Sequence, residues 1–131
     1  MVDNADPLEG LYMNRDDFDR ERLFSALSEI VGIDEETGSP VFLEPYYNLS
    51  NKERFVAQLL YRRAATSLGE LGEDKEGANA SEYAESLESS KSAVQNYGSE
   101  LSFVESDDER GGYVISDHSV GAAIQFLEDE K

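Results

Sequence analysis

The segment LSNKERFVAQLLYRRAATSLGEL, residues 49–71, restricts the fold more than any other part of the chain. Ser50 and Glu53 have the spacing of a capping box, in which the serine side chain reaches forward to a backbone N–H and the glutamate side chain reaches back. Phe55, Val56, Leu59, Leu60, Ala64 and Leu68 recur at helical spacing and form a broad apolar stripe. Gly69 supplies a stop. A helix over 50–68 with so wide a stripe is stable only when other elements cover it. The rest of the chain must therefore supply that cover.

Candidates lie on both sides. NRDDFDRERLFSALSEIVG predicts a helix over 14–31, with Asn14 as N-cap, acids in the first turn, and Phe18, Leu23, Leu27, Ile30 and Val31 on one face. Gly32 suits its end. Residues 1–13 hold a proline, glycine and little periodicity, and read as an arm. IDEETGSPVFLEPYYN reads as a connector: DEETGSP is turn-forming, VFL is a short extended piece, and Pro45 blocks a helix through it. Tyr46 and Tyr47 are placed to pack on the next element. NASEYAESLE predicts a short helix capped by Asn79, with Tyr83, Ala84 and Leu87 inward. SSKSAVQNYGSEL predicts another, capped by Ser89 or Ser90, with Ala93, Val94, Tyr97 and Leu101 as its apolar set. SFVES, DDERGG and YVIS then read as strand, turn, strand, since the Gly-Gly pair permits the positive φ that a tight hairpin needs. DHSVGAAIQFLEDE closes the chain as a helix with Val120, Ile124 and Leu127 on one face.

Composition narrows the class. The chain has 131 residues, 39% hydrophobic, enough for one core. No apolar run approaches the roughly 18–20 residues of a membrane span, and residues 1–10 lack the apolar stretch of a secretion signal. A soluble, cytoplasmic protein is expected. The absence of cysteine removes disulfides and thiolate metal sites. Acids number 29 against 11 bases, a net charge of −18, and they are spread along the chain. Seven tyrosines and six phenylalanines in periodic segments argue against general disorder. The pattern is that of a halophilic surface, solvated in concentrated salt; the rival is an acidic protein of an ordinary cell, such as a DNA mimic or the partner of a basic protein. Against that background, no acid occurs between Glu88 and Glu100.

Helix, short helix, tight turn, helix and two-stranded hairpin is the order of a winged helix-turn-helix. Residues 77–117, carried by ASEYAESLESSKSAVQNYGSELSFVESDDERGGYVIS, resemble the winged-helix DNA-binding proteins of haloarchaea and their viruses and plasmids. Ala84 sits where the two helices cross and Val94 where the second enters the core. The resemblance spans about 48–131. It implies a mainly α fold with a small β-hairpin wing, the helix over 50–68 as the first of the domain, and residues 1–47 as an N-terminal arm and accessory helix. It also implies that the helix at 89–101 lies in the major groove of double-stranded DNA with Ser90, Lys91, Ser92, Gln95, Asn96 and Ser99 exposed. Gln and Asn bond adenine bidentately and Ser pairs with several bases. Lys91, and Arg110 in the wing turn, are expected to meet phosphates. An acid-free face is then what a phosphate backbone requires. Such regulators commonly dimerise through helices outside the motif, so a homodimer through the apolar stripes of helices 14–31 and 118–129 is expected. The same fold with a protein against the reading helix is the alternative.

Other features point away from chemistry. Gly98 lies inside the reading helix, where glycine costs about 1 kcal/mol relative to alanine, and the wing turn DDER is mostly acidic. Lys52, Arg54, Arg62 and Arg63 cluster on the helix over 50–68; for the adjacent Arg62 and Arg63, pairing with acids is favoured over phosphate contact. His118, beside Asp117, is expected to cap or lie on the surface. DEETGSP lacks the ligand spacing of a calcium loop. With no phosphate loop, nucleophile elbow or Cys/His cluster, no enzyme activity, metal or cofactor is expected.

Overall fold

A computed structural model describes Leu8 and residues 15–130, with side-chain surroundings from Arg20 to Asp129. The expected arm, the Asn14 cap and the place of Phe18 lie outside those residues. The chain is mostly helical with two small antiparallel hairpins. Its order is α1 (Arg15–Leu27), β1 (Val31–Ile33), β2 (Pro40–Phe42), α2 (Glu44–Tyr47), α3 (Asn51–Ser67), α4 (Ala80–Leu87), α5 (Lys91–Glu100), β3 (Val104–Asp107), β4 (Gly112–Ile115) and α6 (Val120–Glu130).

α3 is the axis of the molecule. Its capping box forms as expected: Ser50 Oγ accepts from Glu53 N at 3.2 Å and Glu53 Oε1 from Ser50 N at 2.7 Å. Every residue from 55 to 61 is buried, so the helix is enclosed on all sides over two turns rather than along one stripe. The polar member of that run, Gln58, is satisfied by donating to Tyr46 Oη and accepting from Ser86 Oγ. α1 and α6 pack on α3 and on each other, while α4, α5 and β4 cover its remaining flanks. One core results, and it draws on residues from Leu23 to Leu127.

Four local expectations need correction. The helix over 14–31 ends at Leu27, and Val31 and Ile33 instead pair with Phe42 and Pro40 in a hairpin. β-branched residues fit that ladder better than a last helical turn. Gly32 is the middle of β1, not a helix stop. The hairpin turn is held by Asp34, whose carboxylate accepts from Glu36 N at 2.8 Å and Thr37 N at 3.2 Å. Pro45 does not block a helix. It sits in the first turn of α2, where a missing N–H removes no intrahelical bond. Tyr46 packs inward, stacked on Phe42, but Tyr47 is exposed.

The stripes of α1 and α6 were the basis for expecting a homodimer, and the chain itself covers them. Leu23, Ala26 and Leu27 are buried, as are Val120, Ala123, Ile124 and Leu127. α1, α3 and α6 pack on one another around these residues. No helix among the described residues is long and apolar enough to cross a membrane.

Candidate nucleic-acid interface

α4, the turn at 88–90 and α5 are set by capping. Asn79 Oδ1 accepts from Glu82 N at 2.9 Å. Ser90, not Ser89, caps α5, its Oγ accepting from Ala93 N at 3.0 Å. The chain reverses between the helices at Glu88, whose φ of 55° is left-handed. Ala84 is buried on α4 and Val94 is fully buried on α5. Phe55 of α3 ties the motif together: its ring meets Tyr83 of α4 edge-on at 5.1 Å, Tyr97 of α5 at 6.0 Å and Tyr113 of β4 edge-on at 6.2 Å. Burial pushes the Tyr83 hydroxyl far above its ordinary range, so it remains a donor, to Tyr113 O at 3.0 Å.

The hairpin follows at once. β3 and β4 pair from Val104↔Ile115 to Asp107↔Gly112. A single 3-10 turn, Asp108–Arg110, joins them, and Gly111 and Gly112 take φ of 98° and 137°. A side chain on either would strike the backbone of residues 74–79. That close approach lets Ala78 bridge to Tyr113, adding a one-residue third strand beside β4. Gly98 has a related reason. A Cβ there would lie 2.6 Å from Tyr113 Cε1, so glycine in mid-helix is what lets α5 rest on the hairpin.

The expected reading residues stand together. Lys91, Ser92, Gln95, Asn96 and Ser99 are all exposed, and their spacing puts them on one face of α5. Ser90 is exposed at the start of that face but is engaged as the cap. Ser99 Oγ donates back to Gln95 O at 3.1 Å. Lys91, Ser92, Gln95 and Asn96 make no side-chain hydrogen bond or ion pair among the described residues. Glu100, which ends the acid-free run, is matched by Lys52 at 2.6 Å.

Arg110 does not join that face. Its guanidinium turns inward to Glu76 Oε2 at 2.6 Å and lies 3.4 Å from both Glu105 and Asp117. Arg63 of α3 reaches two of these three groups, Glu76 at 3.7 Å and Asp117 by a short hydrogen bond. The bond from Arg63 holds the Asp117 carboxyl below its ordinary range, against its partial burial, and Arg110 adds to the effect. Arg110, expected to meet a phosphate, is engaged here with the buried carboxylate of Glu76, which faces inward and needs a cation. Glu76 itself gave no signal in the sequence, since it lies in a polar loop.

The other bases of α3 are similarly engaged. Arg54 donates to the carbonyls of Tyr46 and Tyr47. Arg62 departs from the expected ion pair: it lies 5.3 Å from the centre of the Tyr83 ring and donates to Lys75 O and Gly77 O. His118 is exposed on the segment leading into α6. Among the described residues no group of three or more His, Cys, Asp or Glu is placed to hold a metal. Comparison with known protein families, with curated proteins and with solved structures finds no match to this chain.

Proposed function

We propose that this protein is a sequence-specific DNA-binding protein of the winged helix-turn-helix kind, a transcriptional regulator of a halophilic archaeon or its mobile element. The observation that carries the reading is the face of α5, where Lys91, Ser92, Gln95 and Asn96 stand exposed, unengaged and clear of acids in a chain of net charge −18. The element order around it supports the reading, as do the Ala78 bridge and the hairpin packed beside the helix. Net charge does not oppose it in concentrated salt. At about 1 M the Debye length is roughly 3 Å, and only local contacts count. A homodimer on paired half-sites, with helices 14–31 and 118–129 as the candidate contacts, remains part of the proposal; the exposed Phe24 of α1 is the apolar side chain there that the chain leaves uncovered.

A specific observation favours a second reading, in which α5 docks on a protein. Residues 77–117 hold only Lys91 and Arg110 as bases, and Arg110 is directed at Glu76. Few phosphates are then neutralised. Selection of bound fragments from a random DNA pool in high salt distinguishes the two. On the DNA reading, Asn96→Ala relaxes one base position by about 1–3 kcal/mol. Lys91→Ala weakens binding to all sequences and lowers the salt slope by about one. Val94→Asp is the unfolded control. No enrichment, with both variants like wild type, would overturn the DNA reading.

A further inference from the structure

Lys52 and Glu100 each stand at the unfavourable end of a helix. Glu100 is the last residue of α5, where the carbonyl end disfavours an acid, and Lys52 lies in the first turn of α3, where the amide end disfavours a base. The two meet across 48 positions of sequence, Lys52 Nζ to Glu100 Oε2 at 2.6 Å. Each helix end therefore tolerates its residue through the other. We infer that Lys52 belongs to the nucleic-acid interface, where it masks the one acid of α5 from the phosphate backbone. This role rests on the DNA reading of α5.

Glu100 is exposed one turn beyond Asn96, at the end of the acid-free face. α5 has ten residues, a length of about 15 Å, and a major groove is about 12 Å wide. A helix of that length seated in the groove brings its last turn, as well as its first, near phosphates. Lys91 serves the first turn. At the last, an uncovered carboxylate would face like charge as water is displaced, where repulsion is least screened. Lys52 cancels that charge from a neighbouring element. The capping box of Ser50 and Glu53 fixes where α3 starts, and α3 packs on α5, so the ammonium is delivered to this spot by the fold. The two side chains remain 36% and 57% exposed, and exposed ion pairs contribute little to stability. The consequence of the bridge therefore falls on what approaches α5.

Affinity is measured for the duplex enriched from the random pool and for a scrambled duplex, at the lowest salt that preserves the far-ultraviolet dichroism and again at high salt. Lys52→Gln is expected to weaken both duplexes about fivefold at the lower salt and far less at the higher, where screening covers the bare carboxylate. Glu100→Gln is expected to bind at least as tightly as wild type. The double variant, Lys52→Gln with Glu100→Gln, is expected to return to within about twofold of wild type, because the acid that needed masking is gone. Urea titration is expected to find all three variants as stable as wild type. Lys52→Gln binding like wild type overturns the role, since the acid then lies away from the DNA. A double variant as weak as Lys52→Gln also overturns it, and makes Lys52 a phosphate contact in its own right. Weakening that tracks a loss of stability makes the bridge a structural one. Wild type that enriches no duplex overturns the DNA reading itself, and this role with it.

Discussion

Gly98 and Glu88 each break a local preference, and the two have opposite causes. Glycine inside α5 forgoes about 1 kcal/mol of helix propensity, yet the ring of Tyr113 occupies the place where a Cβ would go. Gly98→Ala is therefore expected to destabilise, by about 1–2 kcal/mol, since a helix-favouring methyl forces ring and helix apart. Urea titration measures it, and a gain in stability would show that the ring yields freely. Glu88 is the converse. It is the only non-glycine with positive φ among the described residues, and its backbone N–H closes the end of α4 on Glu85 O at 3.2 Å. Glycine tolerates that conformation without the Cβ conflict. Glu88→Gly is expected to stabilise by about 0.5–1 kcal/mol and to leave the α5 face unchanged. A loss of stability in the same titration would mean that the glutamate side chain has a role in the turn.

Among the elements, the second hairpin is tied to α3 through the buried carboxylate of Glu76, and the approach to α6 through the exposed one of Asp117. Glu76 receives Arg110 from the turn between β3 and β4 and lies near Arg63 from α3, and Asp117 on the approach to α6 meets both arginines. Removing the charge of Glu76 leaves two partly buried guanidinium groups short of a counter-charge. Breaking a buried pair of this kind costs about 3–5 kcal/mol. Glu76→Gln is expected to approach the lower figure and to speed hydrogen exchange at the amides of β3 and β4 before those of α3. Uniform acceleration over the whole chain would contradict a local tie. The elements also differ in how legible they were. α3, α4 and α5 carry a cap and an apolar period each, and their limits follow closely. β1 and β2 have three residues apiece, too short for alternation to register, so the first hairpin passes for a connector.

On the scale of the whole molecule, net charge is the dominant condition. A charge of −18 on 131 residues sets many acids within a screening length of one another in dilute buffer. The Debye length grows from roughly 3 Å at about 1 M salt to roughly 10 Å at 0.1 M. Mutual repulsion then acts on the compact state more than on the expanded one. The melting temperature is expected to fall on that dilution. A melting temperature unchanged or raised by it would reject the halophilic surface. The engaged bases sharpen the expectation, because Lys52 and Arg63 each already face a carboxylate and offset little of the remaining charge.

The sequence by itself determined the helices that carry caps and period, the glycine-rich hairpin turn, and the polar acid-free face of α5. All of these depend on contacts within a few residues, so local order encodes them. Tertiary structure decided the rest. That the buried residues of α1 and α6 meet each other and α3 depended on packing across the length of the chain. The direction of Arg110 was fixed by Glu76, 34 positions earlier, and the need for Gly98 by a ring on a later strand. The bridge between Lys52 and Glu100 exists only where α3 and α5 meet. Side chains far apart in sequence make these features, and no window along the chain contains them.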